Sequence, residues 1–223
     1  MLRKFQVRSV LVVVLALAAA SCLAGSGPKN IILLIGDGMG FGHITAARCA
    51  GPGRDGRLAI DTMPVTGLSL THSANALVTD SAAGGTALAT GVKTTNGTIS
   101  QSPDGKPLRS ILELARGLGK SAGIISTKFI TDATPAVFVA HVARRSQRED
   151  IAAQMIESGA EVILGGGKED FVGKSAGGSR SDDRNLLDEA AKLGYDVLET
   201  ADALNASTSG HILGLFAPSS MTS

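Results

Sequence analysis

"SAGIISTKFITDATPAV", residues 121–137, contains the transition that decides the fold class. A short apolar run ends in polar residues, and Pro135 then stands near a first helical turn, a position that proline tolerates well. Short apolar runs alternate with amphipathic stretches along the rest of the chain, with further runs at 30–36, 161–167 and 211–217. Strands that alternate with helices predict an α/β fold, with a mainly parallel sheet and helices on both faces.

Further elements follow from the same patterns. The run 30–36 predicts a fully buried strand, and the alternation over 65–73 indicates another strand. Helices are expected near 40–50, from Ser81 onward and over 134–145, the last of them carrying His141. Cys49, in the helix near 40–50, is expected to be a buried small apolar residue.

Composition limits the classes of function. The chain has 223 residues, enough for one sizeable core, and 43% of them are hydrophobic with 28 glycines. Its formal net charge is +1, spread without blocks of one sign. No basic surface for a nucleic acid or an anionic membrane is therefore expected, and the expected partner is a small molecule.

The first residues have the pattern of an export signal, in which three basic residues precede an apolar run too short to span a bilayer. We expect 1–24 to be a signal peptide and 25–223 the remaining domain. Cleavage near Ala20 or Ala24 and lipidation of Cys22, as in a bacterial lipoprotein, both stay open. The protein is expected to be secreted, either periplasmic or lipid-anchored outside the cytoplasmic membrane, with Cys22 its sole link to a membrane.

Polar residues follow the predicted strands, where parallel sheets gather their chemistry. Asp37 lies between two glycines, where the backbone can bend sharply and a ligand can approach closely. Asp80 and Ser81 precede a run of very small residues. Each also has an ordinary structural interpretation, because Asp is a common turn former and Ser is a favoured helix cap. The residues alone leave both interpretations open.

Five blocks of sequence resemble the alkaline phosphatase family in their order and approximate spacing. They are NIILLIGDGMG, VTDSAAGGTALATGVKTTNG, TDATPAVFVAHVARR, EVILGGG and ILGLFA, between Asn30 and Ala217. The resemblance implies an alkaline phosphatase-like fold and a metal-dependent phosphomonoesterase that acts on small phosphomonoesters. It also implies two zinc ions, one magnesium ion, a phosphoserine intermediate and, for a full-length chain, a homodimer as an open alternative to a monomer.

The resemblance assigns roles to individual residues. Ser81 is similar to the nucleophile, which also faces a zinc ion and the substrate. Arg145 is similar to the arginine that grips the phosphate, although Arg144 lies next to it, and Asp80 is similar to the acid that orients this arginine. A serine at a helix N-terminus would meet a phosphoryl group with free N–H groups and the positive end of the helix dipole.

The same resemblance gives metal ligands. Asp37 is similar to the carboxylate shared by a zinc ion and the magnesium ion, Thr134 to a hydroxyl ligand of magnesium, and Asp132 to the acid beside that ion. In the family, most zinc ligands and a glutamate that binds magnesium come from the second half of the sequence, which this chain does not contain. We therefore expect the N-terminal part of a longer enzyme or a truncated gene product, inactive by itself.

Alternative functions belong to related classes. A sulfatase would need a Cys or Ser followed by x-Pro-x-Arg, whereas AAGGT follows Ser81. Another phosphoesterase of the same metallo-hydrolase superfamily stays open, as does a non-catalytic secreted fragment or pseudoenzyme. The four histidines form no pair at metal-binding spacing, and His141 is expected to be structural.

Overall fold

The computed structural model describes residues 28–221. The helices are α1 Phe41–Ala50, α2 Ser81–Thr90, α3 Ile111–Gly117, α4 Ala133–Ala136, α5 Arg148–Glu157, α6 Leu186–Lys192 and α7 Ala201–Ala206. The strands are β1 Gly123–Phe129, β2 Val162–Gly166, β3 Asp196–Leu198 and β4 Ile212–Leu215, and short 3-10 helices cover Ala59–Thr62, Lys168–Phe171 and Lys174–Ala176. All these elements lie in the unit that begins at Asp37, and residues 28–36 belong to a separate unit.

The four strands form one parallel sheet in the order β1-β2-β4-β3. Ile124 lies opposite Ile163, which in turn lies opposite Leu213, and all three side chains are buried. This row of apolar residues is the centre of the core, because branched side chains pack well on a pleated sheet. The α/β fold with a parallel sheet, expected from the sequence, is confirmed.

Helices α5 and α6 add buried side chains to this core. Ile151 and Met155 of α5 and Leu186 and Ala190 of α6 are fully buried, at the spacing of one helix face. Burial of each large side chain stabilises the fold by roughly 1.5 to 3 kcal/mol. Among residues 28–221, no helix is both long enough and apolar enough to span a membrane.

Two strand predictions are wrong. Residues 30–36 and 65–73 belong to no strand of the described chain, and Ile31, Ile32 and Leu68 are each more than 80% exposed. An apolar or alternating run supplies side chains for a strand, but pairing also needs a neighbour that satisfies its backbone groups. The described sheet gives residues 65–73 no such neighbour.

The prediction of one long helix over 134–145 is also wrong, because α4 ends at Ala136. Beyond it the backbone of Val142 exchanges two hydrogen bonds with Ile99, at 3.0 and 3.1 Å, in an antiparallel bridge. These long-range hydrogen bonds replace the hydrogen bonds of a helix. The β-branched valines in this segment also have a low helix propensity. Cys49 is exposed, contrary to expectation, since α1 contains no buried residue. The predicted signal peptide, including Cys22, lies outside the described residues.

Candidate active site

Helix α2 begins immediately after Asp80, whose extended backbone and side chain make it the N-cap. Asp80 Oδ1 accepts a hydrogen bond of 2.9 Å from the Ala83 N–H, so Asp80 caps the helix and Ser81 is its first helical residue. The cap interpretation considered for Ser81 therefore belongs to its neighbour. The first N–H groups of a helix have no partner within it, so Ser81 lies beside donors suited to an anion.

Small residues let α2 pack closely against the segment that follows β1. Ala82, Ala83 and Gly85 are buried, and a Cβ at Gly85 would lie only 3.2 Å from a methyl carbon of Val137. This close approach brings the N-terminus of α2 near α4, the helix that carries Thr134. The run of small residues after Ser81 thus determines which side chains Ser81 can reach.

Asp37 joins these two helices. Ser81 Oγ donates to Asp37 Oδ1 at 3.0 Å, and Thr134 Oγ1 donates to Asp37 Oδ2 at 2.7 Å. Asp37 lies in a turn with Gly38, whose φ of +69° is a conformation that glycine adopts without strain. One carboxylate therefore gathers two hydroxyl groups that are 44 and 97 residues away along the chain.

Arg145 lies between two carboxylates. Its Nη1 is 3.3 Å from Asp80 Oδ2 and its Nη2 is 2.8 Å from Asp132 Oδ1, while its side chain is 33% exposed. Burial alone would lower the pKa of Arg145, but its bonds to Asp132 and Asp80 outweigh burial and raise it. Arg144, in contrast, is exposed, and its backbone N–H binds Gln147. The structure thus brings Arg145 to Asp80 and leaves Arg144 outside this group.

Asp132 caps α4 and holds cations on both carboxylate oxygens. Oδ1 accepts from the Ala133 N–H and from Arg145, and Oδ2 lies 2.8 Å from the ammonium of Lys128. Burial would raise the pKa of Asp132, but the bonds from Lys128, Ala133 and Arg145 outweigh it, so the pKa lies below its ordinary value. Lys128 was not among the residues predicted for the site, although its position four residues before an acid, near a strand end, is visible in the sequence.

The segment 165–171, at the end of β2, supports the site through Asp170. Asp170 is buried, accepts from Thr131 Oγ1 and pairs with Arg148 at 2.7 Å. Burial raises the pKa of Asp170, although Thr131 and Arg148 act in the opposite direction. Asp170 therefore holds the turn that leads into Asp132 and contacts neither Ser81 nor Asp37.

His141 belongs to a different set of contacts. His141, expected to be structural, has Nδ1 2.8 Å from the Ser100 carbonyl oxygen and Nε2 2.8 Å from Glu113 Oε1. Within residues 28–221, no group of three or more His, Cys, Asp or Glu side chains is placed to hold a metal ion. The residues that do converge offer carboxylate and hydroxyl oxygens. Such oxygens suit magnesium, whereas a zinc site usually contains several nitrogen or sulfur ligands from the protein.

Comparison with known proteins identifies the family of this chain. The family model described as alkaline phosphatase matches residues 28–223. The chain belongs to the alkaline phosphatase family. It is 39% identical to streptomycin-6-phosphate phosphatase of Streptomyces griseus over 94% of this chain and 53% of that protein. It is 36% identical to the alkaline phosphatase of Escherichia coli, over 92% of this chain and 50% of that one.

Solved alkaline phosphatases show the same fold. The enzyme from the Antarctic bacterium TAB5 superimposes with a TM-score of 0.79 at 33% identity, over 87% of this chain and 55% of that one. A variant of the TAB5 enzyme, with magnesium bound in the site named M3, gives the same TM-score at 34% identity. This member of the alkaline phosphatase family thus spans about half the length of these relatives.

Proposed function

We propose that this chain is the nucleophile-bearing part of an alkaline phosphatase that hydrolyses phosphomonoesters through a phosphoserine on Ser81. The observation that carries the proposal is the position of Ser81 Oγ, at the start of α2 and 3.0 Å from Asp37. Arg145 is tied to the same helix start through Asp80. A nucleophile, an anion-binding helix terminus and a guanidinium are thus held by one short segment.

In the proposed reaction, Ser81 Oγ forms a bond to phosphorus while the bond from phosphorus to the ester oxygen breaks. Ser81 gives up its proton to solvent, and the leaving oxygen takes one up from solvent to form the alcohol. Water then cleaves the Ser81 O–P bond and releases inorganic phosphate. The Ser81 hydroxyl donates its proton toward Asp37 Oδ1, which orients the oxygen while leaving its lone pairs available. The N–H groups at the start of α2 and the planar guanidinium of Arg145 would bind the phosphoryl oxygens.

A magnesium ion fits the oxygens of Asp37, Thr134 and Asp132, which would hold it beside Ser81. When bound, a divalent cation stabilises negative charge that develops on oxygen during phosphoryl transfer. The chemistry of these hard oxygen donors supports this assignment, as does magnesium in the TAB5 variant. For zinc, the described residues do not provide a sufficient set of ligands. Asp37 and Ser81 would be the zinc ligands that this chain contributes.

We propose for this reason that this 223-residue chain binds no stoichiometric zinc and hydrolyses no phosphomonoester above background. A zinc site needs at least three protein ligands at about 2.0 to 2.3 Å, which the described part of the chain does not assemble. The test is dialysis against micromolar zinc and millimolar magnesium, followed by measurement of bound metal and of phenol release from a chromogenic phosphate ester. Two zinc ions per chain with metal-dependent turnover would overturn this part of the proposal.

The phosphoserine is tested separately, in a chain extended to the length of its relatives. Acid quench during turnover should trap labelled phosphate on Ser81, and Ser81→Ala should remove it and lower turnover by several orders of magnitude. Covalent phosphate that persists elsewhere in Ser81→Ala would show that the nucleophile is misassigned. A chain that binds phosphate without covalent capture would instead favour the non-catalytic alternative.

Export remains a proposal that rests on the composition of residues 1–24. We propose that the protein is secreted to the periplasm or held outside the cytoplasmic membrane by a lipid on Cys22. Mass spectrometry of the mature N-terminus separates the two, because lipidation makes Cys22 the modified first residue. An unprocessed N-terminus on a cytoplasmic protein would contradict both.

A further inference from the structure

The Asp132 carboxylate is shared by two cationic side chains. Arg145 and the Ala133 N–H bind Oδ1, each at 2.8 Å. Among the described residues, Lys128 alone binds Oδ2, also at 2.8 Å. A divalent cation that reached Asp132 would therefore compete with Lys128 for Oδ2.

The partners of Asp132 differ in how easily they can leave it. The Ala133 N–H is fixed by the backbone at the start of α4. Arg145 is held at its other nitrogen by Asp80 and is 33% exposed. Lys128 is 55% exposed, and the other contact described for its ammonium is the face of Phe129, 4.9 Å from the ring centroid. A lysine ammonium on a flexible stem is the partner that moves away at the smallest cost.

We propose that Lys128 is a positioning residue that neutralises Asp132 and competes with magnesium for Oδ2 of that carboxylate. With the ammonium in place, Asp132 stays oriented toward Arg145 without a metal ion. When magnesium binds, Lys128 swings out toward solvent. Lys128 therefore lowers the affinity of the site for magnesium, and the inference rests on the proposed function, in which Asp132 faces that ion.

The experiment measures magnesium binding to the purified chain by isothermal titration calorimetry. Lys128→Met removes the charge while keeping an unbranched apolar stem, and it should tighten magnesium binding roughly three- to tenfold, the range expected for a partly exposed ion pair. Lys128→Arg keeps the charge and should bind magnesium as weakly as the parent. Lys106→Met is the matched control, because Lys106 pairs with Asp104 at 2.7 Å on an exposed loop.

A second measurement needs no variant. An amine-acylating reagent followed by mass spectrometry should label Lys128 faster when magnesium is present, while labelling of Lys106 stays constant. This readout decides the question if Lys128→Met shows no folded circular dichroism spectrum. Equal magnesium affinity of parent and Lys128→Met, labelling of Lys128 that ignores magnesium, or no magnesium uptake by any variant would each overturn the inference.

The outcomes also separate this inference from the proposed function. Phosphoserine on Ser81 together with a magnesium affinity that ignores Lys128 would remove the inference and leave the reaction standing. Tighter magnesium binding in Lys128→Met without any phosphoserine would do the reverse. In an Asp132→Asn background, Lys128→Met should no longer change magnesium affinity, because the shared carboxylate is gone.

Discussion

Gly85→Ala places a methyl group where α2 meets Val137. The new Cβ would lie 3.2 and 3.3 Å from the two methyl carbons of Val137 and 3.8 Å from its Cβ. The methyl group must therefore push against one branched side chain that is itself fully buried. Overpacking of this kind costs about 1 to 3 kcal/mol, while alanine in a helix interior regains up to about 1 kcal/mol over glycine. We expect a net loss of about 1 kcal/mol in the free energy of unfolding.

Urea unfolding of Gly85→Ala, Val137→Ala and the double variant measures this contact. In the Val137→Ala background the new methyl has room, so Gly85→Ala should stabilise the chain there, with a coupling of about 1 to 2 kcal/mol. Gly84→Ala is the control, because its Cβ would lie 3.4 Å from Thr79 atoms, an ordinary contact. The reasoning is refuted if Gly85→Ala has the same effect in both backgrounds, or stabilises the chain as much as Gly84→Ala.

Arg145→Ala should weaken binding of inorganic phosphate to a full-length chain by about 2 to 4 kcal/mol, as measured by calorimetry, while Arg144→Ala should leave it unchanged. A loss of phosphate affinity in Arg144→Ala and none in Arg145→Ala would assign the phosphate-binding role to Arg144. Asp80→Ala should lower stability to urea by about 1 to 2 kcal/mol through loss of the helix cap, whereas Asp80→Asn retains the capping oxygen and loses less; equal losses would contradict the cap. Burial would raise the pKa of Glu113, but hydrogen bonds from the Ser110 N–H and His141 outweigh burial and lower this pKa. The ionised Glu113 carboxylate therefore stabilises the fold at pH values above its unfolded pKa of about 4.3. This stabilisation is lost as pH falls through the lower pKa of the folded state. The stability advantage of the parent over Glu113→Gln should therefore shrink between pH 6 and pH 3, and a constant difference would be inconsistent with this linkage.

The sequence predicted the parts of the fold that depend on local pattern. The strand β1 and the helix α2 could be predicted because the residues of each favour that element and each packs against other described elements. The run at 30–36 shows the limit of this reasoning, since the same apolar pattern leaves Ile31 85% exposed. Periodicity states what a segment would bury, and the partner that covers it must come from elsewhere in the structure.

The long helix expected over 134–145 failed for a related reason. Backbone bonds between Val142 and Ile99 compete with helical ones, and nothing in the local sequence reveals a partner more than forty residues away. This departure from the helix matters for the site, because it also lets the Arg145 N–H bind the Gly97 carbonyl oxygen at 2.7 Å. Arg145 reaches Asp80 from this irregular segment, which propensity could not have placed.

Asp37 shows why the candidate site follows from packing more than from any one motif. Its two oxygens accept from Ser81 and Thr134, which lie on two helices in contact, and most of the buried residues of α2 are alanine or glycine. A larger residue at Gly85 would separate those helices and lengthen one of the two bonds. The small residues after Ser81 thus act on the proposed chemistry indirectly, because they let the Ser81 hydroxyl approach the oxygens of Asp37 and Thr134.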